Sequence, residues 1–432
     1  MDLIGPPPGR RPRGDAALRR LELRGVGPAA VINYEPSDRI NIISGDNSLG
    51  KTFLLDCIWW ALTGQWVSHI AWPRMDSPQR HPLIRVVVGT SKGTRHSFVT
   101  RFDWERQEWD TVPEREILTG LAVYARYDGS FAVWDPARPD SAGSLQTEAL
   151  RYLALSREEV WDGAIRSGRQ LCNGLYADLV LWQVGGDRYG SQFAALSRCL
   201  QILSPSDDEP LQFTDPTRLA ESRELPTLRM PYGDVPLKIA SAAVRRIVAL
   251  AYMLVWTWFE HLQNARAARR PPQQALVLVI DEVEAHLHPR WQRLIIPAIV
   301  QAVESLAHET STQVHVATHS PMVMASAETI FDETRDDLHH LRVDGRDVTL
   351  EELPFVRRGT SDAWLASDVF GLGQPRSREA ERAIDDAKQL QLSDAPNRDA
   401  VRTGHDRLVQ YLAPDDEFWP RWRFFAKQHG VK

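Results

Sequence analysis

The chain has 432 residues, a formal net charge of −6 and 25 % charged side chains. That length suits one large domain or two to three small ones, with an ordinary globular composition. The mild acidity excludes a surface that is basic overall, so any nucleic-acid contact has to come from a local patch.

Cys57, Cys172 and Cys199 are few, odd in number and without metal-ligand spacing, which fits a reducing cytosol. The beginning of the chain lacks the apolar core of a signal peptide. The longest apolar run, 247–259, is too short for a membrane span and reads as a buried helix. The expectation is a cytoplasmic protein with no membrane partner.

In chain order, residues 1–17 are rich in Pro, Gly and Arg, the composition of a disordered tail. Segments 21–26 and 29–33 read as a strand pair. Ile40, Ile42 and Ile43 then end a buried strand, followed by Gly45-Asp46-Asn47-Ser48-Leu49-Gly50-Lys51-Thr52. This is G-x-x-x-x-G-K-[ST], the phosphate-binding loop. Its glycines let successive N–H groups turn inward on an anion, and the following helix adds its positive dipole end. Lys51 is expected to reach the β- and γ-phosphates of ATP, and the Thr52 hydroxyl to ligate Mg²⁺. The helix runs through Leu54, Leu55, Ile58 and Leu62 to Gly64.

Residues 83–134 carry β-branched and aromatic runs at 83–88, 97–104, 121–126 and 131–134, with a hairpin signal at Asp128-Gly129. They read as an antiparallel layer beside the nucleotide site. Residues 145–203 read as a helical insertion without a sustained heptad, so no long coiled-coil arm is expected. Residues 204–226 are polar and read as a loop. Segments 227–230 and 235–238 flank a turn at 231–234. A long buried helix begins at Ser241.

Leu276-Val277-Leu278-Val279-Ile280-Asp281-Glu282 is an apolar run ending in two carboxylates, the form of a parallel strand buried on both faces. Its carboxyl end is where α/β folds place ligands. Asp281 is expected to hold the Mg²⁺ shell, and Glu282 to orient and deprotonate an attacking water. Residues 314–317 form the next strand. His319 follows it, placed to hydrogen-bond the γ-phosphate or the water.

Asp281-Glu282-Val283-Glu284-Ala285-His286-Leu287-His288-Pro289 closely resembles the Walker B segment of prokaryotic ABC-type ATPases outside transporters, the relatives of SMC, RecF and overcoming-lysogenization-defect proteins. Residues 45–52 resemble their phosphate loop, and Ala317-Thr318-His319-Ser320-Pro321 their switch-histidine segment. The resemblance covers roughly residues 20–330. It implies an α/β P-loop NTPase with an ABC-ATPase-like head over 18–330: a mostly parallel core sheet, an antiparallel β layer and a helical insertion near 145–203. A mainly helical C-terminal region follows at 331–432.

The resemblance also implies two heads facing each other, each offering a signature segment to the other's nucleotide. The matching stretch is Ala240-Ser241-Ala242-Ala243-Val244-Arg245-Arg246. Ser241 matches the family serine, whereas Ala243 stands where the family has glycine. That methyl group would crowd a close approach to the γ-phosphate and slow hydrolysis. The other reading of Ser241 is a plain helix N-cap. Neither Gln170 nor Gln183 is assigned to a glutamine loop. His286 and His288 lack a third metal ligand. No Asp-x-Asp follows Pro321, so a nuclease domain within this chain is not expected.

After 330, residues 338–350 read as a hairpin turning at Asp344-Gly345, and 377–392 and 401–412 as helices. Trp419, Arg421, Trp422, Arg423, Phe424 and Phe425 then offer a partner-docking surface, or else pack on the head. The family resemblance points to the ATPase subunit of a Septu-type or retron-associated anti-phage system. Its partner would be a separate nuclease of HNH type, with DNA or other nucleic acid reached through the complex. The alternative is a RecF- or SMC-like DNA-repair ATPase. A transporter subunit is disfavoured by the imperfect signature and the His-Leu-His-Pro run.

Overall fold

The computed structural model describes residues 17–75, 81–89, 95–110, 120–138, 151–206, 210–220, 222–307, 310–372, 376–393 and 395–431. The disordered-tail reading of the first residues lies outside these, apart from Ala17.

Eight strands form the central sheet, in the spatial order Asp347–Leu353, Asp337–Asp344, Ile40–Gly45, Ser311–Ala317, Ala275–Ile280, Leu121–Ala125, Phe131–Trp134 and Tyr152–Leu155. The five strands from Asp337–Asp344 through Leu121–Ala125 run parallel. Antiparallel strands close both edges. Each parallel strand needs a crossover connection, so the carboxyl ends at Gly45, Ala317, Ile280 and Ala125 gather along one end of the sheet. This is the expected α/β P-loop architecture.

A second, antiparallel sheet orders Ala29–Tyr34, Leu18–Val26, Leu83–Gly89, Arg95–Asp103 and Glu108–Trp109. Helix Lys51–Thr63 lies between the two sheets, which explains why it is apolar nearly all round: Leu54, Leu55, Cys57, Ile58, Trp59, Trp60 and Leu62 are all buried. Gln313 joins the sheets in the interior. Its Oε1 accepts from the Leu18 N–H at 2.9 Å, and its Nε2 donates to the Leu18 and Ser37 carbonyls.

Four local expectations are corrected. Leu121–Ala125 and Phe131–Trp134 belong to the central sheet; both are buried throughout, as strands covered on both faces must be. The described part of the 145–203 segment contains a strand, Tyr152–Leu155, whose Leu153 and Leu155 alternate into the core. A hairpin of Ala164–Arg166 and Arg169–Cys172 interrupts its helices. The 204–226 loop contains strand Gln212–Arg218, paired with Glu224–Met230 through a register shift around Asp215-Pro216. The hairpin after residue 330 lies in the central sheet, because Asp337–Asp344 pairs with the phosphate-loop strand. The chain divides into compact units between Gly359 and Thr360.

Ala242–Ala267 is the one helix among the described residues long and apolar enough to cross a membrane, and 67 % of its apolar window is buried inside the protein.

The second unit packs helices Arg378–Leu392, Arg398–Tyr411 and Trp419–Gln428 around Ile384, Val401, Leu408, Trp419 and Trp422. Trp419 and Trp422 are therefore interior to this unit and not available for docking. Arg421, Arg423 and Phe424 remain exposed.

Candidate functional site

Three loops converge at the carboxyl end of the parallel strands. The first, 45–50, needs unusual backbone. Gly45 has φ 141°, Ser48 68° and Gly50 97°. A Cβ on Gly45 would sit 2.5 Å from the Leu341 carbonyl oxygen on the adjacent strand, so a glycine is required there. Lys51 is buried, and its Nζ donates to the Gly45 carbonyl at 2.6 Å and the Asp46 carbonyl at 2.9 Å. Burial lowers the pKa of its ammonium, and the carboxylates of Glu284, Glu282, Asp281 and Asp46 oppose that shift.

The second loop follows strand Ala275–Ile280. Asp281 is fully buried, and its Oδ2 accepts from the Thr52 hydroxyl at 2.7 Å. Burial pushes the Asp281 carboxyl up to about 6. Its other oxygen, Oδ1, is buried with no hydrogen-bond partner among the described residues. An orphaned carboxylate oxygen beside a hydroxyl is a hard-oxygen donor set, and it fits Mg²⁺. Glu282 is partly exposed and has φ 48°, a left-handed conformation that a non-glycine residue adopts only under constraint.

The third loop follows strand Ser311–Ala317. The Thr318 N–H donates to the Ile43 carbonyl at 3.0 Å, which ties this loop to the phosphate-loop strand. His319 carries a half-exposed ring. Glu284, two residues beyond Glu282, is buried against this segment. It accepts from the Thr318 hydroxyl at 2.8 Å and from the His319 N–H at 2.7 Å.

Ser241 is exposed and caps helix Ala242–Ala267, accepting from the Val244 N–H at 3.3 Å. The N-cap reading is thus present in the structure; contact with a second head is not a property of one chain. From the same helix, Arg246 donates to the Arg126 and Tyr127 carbonyls at 3.0 and 3.1 Å, and to the Asp281 and Glu282 carbonyls at 3.1 and 3.3 Å. The structure therefore brings Gly45–Thr52, Asp281, Glu282 and His319 to one end of the sheet, and leaves Ser241 on the surface. Glu284 and Arg246 had no role in the motif reading, because their partners are distant in sequence. His288 uses its ring to cap Pro289–Gln292, and no cluster of three or more metal-ligating residues occurs among the described residues.

Residues 20–70 match the profile of an AAA domain family. Residues 265–325 match a second AAA domain family, whose description mentions the AbiEii toxin and type IV TA systems. The chain is 26 % identical over 148 residues to "Retron Ec83 probable ATPase" of Escherichia coli, covering 33 % of this chain and 23 % of that protein. It is 26 % identical over 176 residues to "Septu protein PtuA" of Bacillus thuringiensis, covering 38 % and 41 %. The chain thus spans less than half the length of either relative. Similar solved structures include the SMC head domain from Thermotoga maritima (16 % identity, TM-score 0.39, 78 % of this chain and 99 % of that one). Another is the recombination mediator protein RecF (12 %, 0.38, 79 % and 100 %). The phosphate loop and the Asp281–His319 segment each fall inside a stretch that is similar to an AAA-domain family model.

Proposed function

We propose that the protein binds and hydrolyses ATP as an ABC-type ATPase, and that it is the nucleotide-controlled regulatory subunit of an anti-phage defence complex. A separate nuclease, of HNH type, would carry the effector chemistry, with nucleic acid reached through the complex. The observation that supports the ATPase reading best is the meeting of Thr52 and Asp281 at 2.7 Å, with Asp281 Oδ1 left over. The defence reading is supported by homology to the retron ATPase and PtuA.

In this reading the N–H groups of 45–52 cradle the phosphates, and Lys51 turns from its two carbonyl acceptors to the β- and γ-oxygens. Thr52 and Asp281 would hold Mg²⁺, which when bound neutralises phosphate charge. Glu282 takes the proton of the attacking water, while His319 holds the γ-phosphate region by hydrogen bonding. Ser241 would meet the nucleotide of a second copy in a head-to-head dimer, with the Ala243 methyl slowing closure. The free thiols of Cys57, Cys172 and Cys199 fit a cytoplasmic location.

Titration of a fluorescent ATP analogue, together with phosphate release, tests the reading. Lys51→Ala should abolish binding. Glu282→Gln should bind normally and lose roughly 100-fold or more in kcat. Wild-type affinity in Lys51→Ala overturns the site.

A further inference from the structure

We infer that Arg246 is a positioning residue that holds the backbone of Glu282 in its left-handed conformation and so sets where that carboxylate points. The inference rests on the ATPase reading for its catalytic consequence, and on hydrogen bonds alone for its geometry.

A guanidinium presents its N–H groups as a planar fork. In Arg246 both terminal nitrogens are engaged. Nη1 donates to the Arg126 and Tyr127 carbonyls at 3.0 and 3.1 Å, and Nη2 to the Asp281 and Glu282 carbonyls at 3.1 and 3.3 Å. The last two carbonyls belong to the two peptide planes that flank the Glu282 Cα. Fixing both planes fixes φ and ψ of the residue between them. That residue has φ 48°, where any side chain other than glycine is disfavoured. The surrounding structure has to hold it there. The Ala285 N–H also donates to the Glu282 carbonyl, at 2.9 Å, but that bond engages the following plane alone.

The frame behind the arginine is stiff. Arg246 lies in the second turn of helix Ala242–Ala267, whose Val244, Ile247 and Val248 are buried. Arg126 and Tyr127 directly follow strand Leu121–Ala125, the neighbour of Ala275–Ile280. The Asp281 N–H donates to the Ala125 carbonyl at 2.9 Å, joining the two strands at their carboxyl ends. The guanidinium bridges them one step further on. Lysine could not replace it, having one nitrogen for four acceptors.

Filling carbonyls is also what a purely structural arginine would do. The two roles differ in one consequence. An arginine that acts through the Glu282 carboxylate matters to the rate only while that carboxylate is present.

The test uses the full chain and single-turnover ATP hydrolysis in a double-mutant cycle. Arg246→Ala and Arg246→Lys should each lower the rate by roughly tenfold or more, with the affinity for an ATP analogue within about threefold. On a Glu282→Gln background the same changes should lower the residual rate by less than about twofold. Equal factors on both backgrounds overturn the inference, as does an Arg246→Lys protein with the wild-type rate. A second comparison needs no Arg246 variant. With the turn held left-handed, Glu282→Gly should melt above Glu282→Ala, since glycine escapes the Cβ penalty. That advantage should shrink in Arg246→Lys. Glu282→Ala melting as high as Glu282→Gly overturns the inference even where the Arg246 variants do not fold. If the wild type hydrolyses no ATP, the ATPase reading fails, while the melting comparison still decides whether Arg246 holds Glu282.

Discussion

The Thr52 hydroxyl and the Asp281 carboxylate meet at 2.7 Å although 229 positions separate them in the chain. One lies in the first turn of the helix after the phosphate loop, and the other directly follows a strand two places across the sheet, beyond Ser311–Ala317. Only the parallel stacking of the strands brings them together. Asp281→Asn tests what this meeting is for. Removing an unpaired buried charge should leave the nucleotide-free protein at least as stable as wild type by thermal melting. The same change should weaken Mg²⁺-dependent nucleotide binding by roughly 10- to 100-fold, with little effect in EDTA. A variant that melts well below wild type and still binds Mg-ATP normally would show that the pair is structural.

Gly45→Ala addresses the loop. The added methyl would meet the Leu341 carbonyl at 2.5 Å at a φ of 141°, and that oxygen belongs to sheet backbone that cannot move freely. A loss of about 2 kcal/mol or more in urea unfolding is expected, with loss of ATP binding. Gly345→Asn serves as control: φ is 64° there, nothing lies within 4 Å, and Asn tolerates this region. Equal effects from the two variants would show that the close approach to Leu341 does not matter.

How far the chain could be read in advance depended on how local each signal is. Ile40–Gly45, Ala275–Ile280 and Ser311–Ala317 were legible because a buried parallel strand is apolar on both faces and a motif follows each one. Gln212–Arg218 was not, since Asp215-Pro216 reads as a loop and only pairing with Glu224–Met230 makes it a strand. The hairpin at Asp344-Gly345 was visible, but its membership of the central sheet was not, because that is decided by the register Leu341↔Gly45. In the site, the loop and the two carboxylates were legible from spacing. Glu284 and Arg246 acquire meaning only from the groups opposite them.

Ser241 separates two roles that one residue could serve. Ser241→Asp keeps a good N-cap, so the stability of helix Ala242–Ala267 should hold within about 0.5 kcal/mol. If the residue meets the γ-phosphate of a second head, the added negative charge should suppress ATP-induced dimers and turnover. Ala243→Gly should raise both. Light scattering with ATP, on a Glu282→Gln background, measures the dimer. A dimer population indifferent to Ser241→Asp and Ala243→Gly would remove the head-to-head arrangement.

His315 predicts acid sensitivity. It is fully buried, with Nδ1 2.7 Å from the Tyr34 hydroxyl. Burial, assisted by His339, lowers its pKa from 6.5 to about 3. The sign follows from proton uptake: below about 6.5 the unfolded chain binds a proton that the native state refuses. The contribution is intact above that pH and declines as pH falls toward 3, by about 1.4 kcal/mol per unit, so about 2 kcal/mol at pH 5. His315→Gln cannot titrate. The stability gap between wild type and variant should therefore narrow, or reverse further, by about that amount between pH 7.5 and pH 5 in urea titrations. A gap independent of pH would mean that the imidazole titrates equally in the native and unfolded states, and a change of opposite sign that it is charged in the native state.

The aromatic run near the end of the chain divides by burial, and that division makes the last prediction. Trp422 is fully buried in the helical unit 360–432, and its Nε1 donates to His405 Nδ1 at 3.1 Å. Trp419 is buried beside it, whereas Phe424 is 68 % exposed. Trp422→Ala should cost about 3–5 kcal/mol of that unit's stability through lost burial and the cavity left behind. Phe424→Ala should cost almost nothing in the isolated protein, because its ring already faces solvent. In the proposed reading nucleotide binding belongs to residues 17–359, and it should survive both changes. If a partner docks on this helix, Phe424, Arg421 and Arg423 are the side chains left to receive it, and Phe424→Ala with Arg421→Ala should weaken that complex while melting and ATP affinity stay at wild-type values. Calorimetry with and without an ATP analogue reads both quantities in one experiment. Loss of nucleotide binding in Trp422→Ala, at a temperature where residues 17–359 remain folded, would show that the two units are energetically one.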